Sequence, residues 1–129
     1  MAIEDLRRQI KTASAPPPAG TYSQAIVAGG FLFIAGQGPF DLAGVKTPDT
    51  FRNETLMTLR NLENVARSAG TSIQHAVRLG VYLSDMNNFK EMNEIFVEYF
   101  TSPYPARTTI PVALRGFQIE IDAIVKMPS

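Results

Sequence analysis

Residues 119–125 read Ile-Glu-Ile-Asp-Ala-Ile-Val, and this alternation constrains the chain more than any other stretch. In a strand, successive side chains point to opposite faces. Ile119, Ile121, Ala123 and Val125 then share one face, while Gln118, Glu120, Asp122 and Ile124 share the other. The apolar face needs a hydrophobic layer. The charged face needs solvent, a second subunit or a ligand, because a charge entering a packed region requires a partner or a task.

Helices that could supply the layer are legible. From Thr50 to Ala69, Leu56, Leu59, Leu62, Val65, Ala66 and Ala69 follow helical spacing, and Gly70 is a stop. Asp85 can cap a second helix, with Phe89, Met92, Phe96, Tyr99 and Phe100 along one face until Pro103 and Pro105 forbid continuation. Strands are predicted over 22–28 and 31–36, joined by Gly29-Gly30, and over 75–84, 107–113 and 117–127. Pro111 marks the strand at 107–113 as an edge or a bulged one. Residues 1–12 carry Ile3, Leu6 and Ile10 at the spacing of a short helix, and the prolines of "SAPPPAG" (14–20) hold the next segment extended. The order β-β-α-β-α-β-β is an α+β layout with two helices on one face of the sheet.

Composition narrows the function. A chain of 129 residues implies one domain. Its charged fraction of 19% is low, which fits a protein that hides surface in an oligomer. Twelve basic residues balance twelve acidic ones, which counts against a dedicated nucleic-acid or anionic-membrane binder. No cysteine is present, and His75 is the single histidine. Thiolate chemistry, cysteine zinc sites and multi-histidine metal centres are therefore excluded. No apolar run approaches the length of a membrane helix, and the start resembles neither a signal nor a transit peptide, so the cytoplasm is the expected compartment.

Arg107 is the cation that most needs explaining. It follows Pro103 and Pro105, opens a strand, and shares a face with Thr109. Parity permits Arg107 and Glu120 to meet, but only a favourable register would bring them together. Arg107 could be a structural ion pair with Glu120, Asp122 or another acid, the two acids could line a solvated face, Tyr22 could be packing, and Asn93 could be a surface polar residue. The residues themselves yield a fold class and a candidate arginine–carboxylate pair, not a reaction.

Several linked stretches add to this: "TYSQA" (21–25), "FLFIAGQGP" (31–39), the whole of 69–100, "YPARTT" (104–109) and "IEIDAI" (119–124). Together they resemble the Rid family of reactive intermediate deaminases, also known as the YjgF family, from Ala15 onward. The resemblance implies a single domain over 1–129, with 1–14 as an N-terminal extension. It implies a chorismate-mutase-like fold, a six-stranded mixed sheet with two helices on one face, assembled as a homotrimer with clefts between subunits. The implied activity is hydrolysis of 2-imino and 2-enamino acids, such as 2-iminopropanoate and 2-aminoacrylate, to a 2-keto acid and ammonia, without metal or organic cofactor.

By the same resemblance Arg107 holds the substrate carboxylate and Glu120 positions the attacking water. Tyr22 closes the cleft, Gly36 brings backbone close to ligand, and Asn93 and Thr109 complete the set. Ala35 stands where active members often carry serine, the link at 113–116 is two residues short, and Pro111 is unusual in its strand. Two other readings remain at this point: a regulatory module that binds a carboxylate metabolite without turnover, and a ribonuclease or translation inhibitor.

Overall fold

In the computed structural model, which describes residues 4–46 and 49–129, a mixed sheet of six strands carries the chain. The strands are β1 (Arg8–Ile10), β2 (Ala25–Ala28), β3 (Phe31–Gln37), β4 (Ala76–Leu83), β5 (Ala106–Pro111) and β6 (Ile119–Lys126). Their spatial order is β1-β2-β3-β6-β4-β5, with β4 and β5 parallel and all other neighbours antiparallel. Helices α1 (Phe51–Ser68) and α2 (Phe89–Tyr99) complete the chain's main elements. The expected α+β architecture is thus the observed one, and Pro111 ends an edge strand, where its missing N–H costs no ladder bond.

Local chemistry explains the boundaries. Gly29 and Gly30 adopt φ of 59° and 83°, which the tight turn between β2 and β3 demands. The Thr50 side chain accepts the Asn53 N–H at 3.1 Å and caps α1. At the other end Gly70, at φ 91°, donates to Arg67, and Thr71 donates to Ala66, a closure that requires a left-handed residue. Asp85 accepts the Asn87 N–H at 2.8 Å and starts a 3-10 turn, Met86–Asn88, that runs directly into α2.

The N-terminal segment differs from expectation. A helix over 1–12 is not formed: Arg8–Ile10 is a strand, while Ile3 lies outside the described residues. A helix of twelve residues is marginal alone. Pairing with β2 lets Ile10 bury itself opposite Ala25, leaving it 5% exposed. The extension therefore supplies the sixth strand.

Register assigns each face. Leu32 pairs with Val125, Ile34 with Ala123, Val81 with Ile121 and Leu83 with Ile119, and all are buried beneath the helices. The opposite face carries Phe33 opposite Ile124, Gly80 opposite Asp122 and Tyr82 opposite Glu120. Among the described residues no helix covers that face, and Phe33 and Ile110 are each 44% exposed. Among the described residues no helix is long and apolar enough to cross a membrane.

Two helical positions read wrongly from the sequence. Leu56 and Phe89 were expected in the core, yet each is 37% exposed. Leu59, Leu62, Val65 and Ala66 are buried as expected, and the stripe of α1 continues toward its start through Thr58, Thr55, Glu54 and Phe51 rather than Leu56. Glu54 is 1% exposed, and its carboxylate accepts the Gln118 N–H at 2.8 Å and Gln118 Nε2 at 2.7 Å, with Lys46 Nζ at 3.6 Å. It thereby anchors the start of β6. Glu54→Ala leaves two donors stranded, at about 1–3 kcal/mol each. A loss of roughly 3 kcal/mol in urea denaturation is expected, and a loss below about 1 kcal/mol would contradict the anchoring role.

Candidate functional site

β4 and β5 decide where Arg107 points. Their parallel register sets Arg107 beside Leu79 and Thr109 beside Val81, on the helix-covered face. Glu120 and Asp122 lie on the other face, beside Tyr82 and Gly80. Arg107 and Glu120 therefore do not meet within one chain, and an internal ion pair between them is excluded.

Arg107 instead reaches toward α2. Its guanidinium carbon lies 5.7 Å from the ring centroids of both Phe89 and Phe96. These contacts hold the cation against aromatic faces and leave its donating edge available. Partial burial lowers its pKa, but an arginine stays charged at neutral pH. Among the described residues no carboxylate pairs with it. A cavity of about 240 Å³ opens beside it, lined by Asn93, Phe96, Val97, Phe100, Tyr104 and Leu79 among others. Asn93 is half-buried there, and its carboxamide makes no hydrogen bond with the described residues. Thr109 does not line this cavity, and its hydroxyl is buried without a hydrogen-bond partner.

Tyr22, Gly36 and Glu120 gather around a second cavity, of about 290 Å³. Its wall is the proline segment, Pro16–Pro18, which sequence expected to be extended. Gln24, 2% exposed, clasps that wall: its Oε1 accepts the Thr12 N–H at 2.7 Å, and its Nε2 donates to Thr12 at 3.1 Å and Pro16 at 2.9 Å. The Tyr22 hydroxyl accepts the Ala19 N–H at 3.0 Å. Asn61, also buried, donates to the carbonyls of Gly38 and Phe40 at 2.9 Å each and holds the loop after β3. Ala35 precedes Gly36 on β3, and its N–H is bound to Gln24 at 2.9 Å. Its methyl group does not line the cavity.

Any other residue at Gly36 would displace the Glu120 carboxyl. A Cβ there would lie 2.7 Å from Glu120 Oε2, so the carboxyl rests directly against backbone. Burial raises the Glu120 pKa above the usual carboxylate range, and the negative charge of Asp122 adds to the shift. The two acids have distinct surroundings. Asp122 accepts from Tyr82 Oη at 2.7 Å and from the Gly80 N–H at 3.1 Å, with Arg78 at 3.7 Å. Glu120 accepts no hydrogen bond from the described residues.

A chemical contrast follows. The buried polar groups Gln24, Glu54 and Asn61 each have hydrogen-bond partners within the chain, and so does the half-buried Asp122. Sequence reasoning passed over the first three, although Glu54 lies in phase with an apolar stripe and could have been noticed. Arg107, Asn93 and Glu120 have no such partners among the described residues. One group can grip an anion on the helix face, and the other presents a carboxyl base beside Tyr22 and Gly36. Among the described residues no group of three His, Asp or Glu side chains is placed to hold a metal ion.

Comparison with known proteins agrees with the fold and with the motifs. The profile of the family described as endoribonuclease L-PSP matches residues 12–127. A RutC family protein of Pyrococcus horikoshii is 42% identical over 122 residues, spanning 92% of this chain and 97% of that one. The human 2-iminobutanoate/2-iminopropanoate deaminase is 36% identical over 122 residues, spanning 92% of this chain and 89% of the relative. The crystal structure of RidA from an Antarctic Psychrobacter superposes with a TM-score of 0.87 at 34% identity, covering 93% of this chain and 99% of the other. The chain belongs to the endoribonuclease L-PSP family, the Rid or YjgF family.

Proposed function

We propose that the protein is a cytoplasmic homotrimer that hydrolyses 2-imino acids to 2-keto acids and ammonia, with each site assembled from two chains. The observation that carries this reading is the separation of two unpartnered groups onto opposite faces of one sheet. Arg107 with Asn93 lies on one face and Glu120 with Tyr22 and Gly36 on the other. Neither half is a hydrolytic site alone. A second copy, packing on the face that carries exposed Phe33 and Ile110, would complete both. The naming of mammalian relatives as imine deaminases supports the same chemistry.

The residues have separable roles. The Arg107 fork donates two parallel hydrogen bonds to the substrate carboxylate, and Asn93 adds an adaptable amide. Glu120 of the neighbouring chain holds a water against the electrophilic C2 and accepts its proton as the C–O bond forms. Glu120 passes that proton to the imine nitrogen, which gives the carbinolamine. The hydroxyl proton then follows the same route as the C–N bond breaks, so the nitrogen leaves as ammonia, the carbonyl of the keto acid is formed and Glu120 is again ionised. Imines of this kind hydrolyse readily in water, so orientation supplies most of what is needed. Ammonia release from imines generated in situ by an amino-acid oxidase tests the reading. A rate no faster than the uncatalysed one for every imine would reject it.

The pH profile follows from the raised Glu120 pKa. Below that pKa the carboxyl is protonated and cannot accept the proton of water. Turnover is therefore expected to fall on the acid side at a pH above the ordinary glutamate range. Asp122→Asn removes the like charge and moves this limb to lower pH, though only partly, because burial is the larger cause. A limb that stays in place in the variant would contradict the assignment of Glu120 as base.

A further inference from the structure

The cavity beside Arg107 is larger and more apolar than a three-carbon substrate requires. Its floor is Leu79, Phe96 and Phe100, at 1%, 5% and 5% exposed, and its rim includes Val97. Arg107, Asn93 and the Tyr104 phenol are its polar members. An apolar cavity of about 150 Å³ accepts a benzene ring, and this one measures about 240 Å³. The guanidinium carbon lies over the rings of Phe89 and Phe96, 5.7 Å from each centroid, and its N–H groups have no hydrogen-bond partner among the described residues, so they are free to meet an anion at the cavity mouth. A ligand that satisfies all of these features joins a carboxylate to a bulky apolar group by a short link. A methyl group would leave the floor uncovered.

We infer that this cavity is a side-chain subsite, and that the protein prefers 2-imino acids of the leucine and phenylalanine type over the alanine-derived one. For the reaction this rests on the deaminase reading above. For binding it does not. The second cavity is the poorer place for a carboxylate, since Glu120 would repel it.

Each methylene moved from water onto an apolar wall changes affinity by about fourfold. Imines formed in situ from leucine and phenylalanine are therefore expected to show kcat/KM at least about tenfold above that of the alanine imine. The matching keto acids, 4-methyl-2-oxopentanoate and phenylpyruvate, should bind tighter than pyruvate by a similar factor in calorimetric titration. Val97 is 63% exposed, so Val97→Phe adds a ring over the cavity without disturbing the core. It should bring both ratios toward one. Graded keto-acid binding without turnover of any imine would keep the subsite and reject the deaminase reading. Turnover with the alanine imine equal or better, or ratios unaltered in Val97→Phe, would overturn the subsite and leave the deaminase reading standing.

Discussion

Arg107→Ala is expected to abolish recognition of keto-acid carboxylates while leaving the fold intact. A hydrogen bond to a charged group contributes roughly 1.5–3 kcal/mol, so losing one costs about ten- to a hundredfold, and losing the two bonds of the fork costs more. Arg107→Lys should recover only part of this, because a point charge cannot reproduce the fork. Stability should barely move. The guanidinium has no ionic partner to strand, and its contacts within the chain are the ring faces of Phe89 and Phe96. Pyruvate titration and thermal melts of the three proteins separate these effects. A structural ion pair predicts the opposite pattern, with strong destabilisation from a stranded charge. If Arg107→Ala binds pyruvate like the parent protein, the carboxylate site is elsewhere.

Glu120→Gln should separate turnover from binding. The amide keeps the shape but cannot take a proton from water, and general-base catalysis contributes about a hundred- to ten-thousandfold. The imine is intrinsically reactive, so the lower end of that range is expected. Keto-acid binding should persist, because Arg107 lies on the other face of the sheet from Glu120. The melting temperature should hold or rise slightly. A carboxyl whose pKa is raised by burial is penalised when charged, and glutamine removes that penalty. A variant that melts much earlier, or hydrolyses imines at the parent rate, would remove Glu120 from the role.

The fold was legible wherever periodicity was long and punctuation was strong. The strand at 119–126, the helix closed by Gly70 and the Gly29-Gly30 turn all formed within a residue or two of expectation. The segment before Thr12 was not legible, because a helical spacing of three apolar residues is weaker than an edge ready to pair with Ile10. Parity correctly sorted each strand into two faces but could not say which face of β5 matches which face of β6. That depends on β4, which lies between them and pairs Leu79 with both Arg107 and Ala123. The motif residues were named from resemblance, and the register separated them into two half-sites. What holds the proline wall and the loop after β3 was invisible, since the clasps of Gln24 to Thr12 and of Asn61 to Phe40 join residues 12 and 21 positions apart in sequence.

The claim that one site needs two chains is tested most directly by mixing inactive variants. Arg107→Ala chains keep Glu120, and Glu120→Gln chains keep Arg107. Co-refolded in equal amounts, they should form mixed trimers in which about a quarter of the clefts draw both intact residues, one from each chain. Imine hydrolysis should therefore return to about a quarter of the parent rate, while each variant refolded alone stays inactive. A mixture no more active than its components would contradict the shared site.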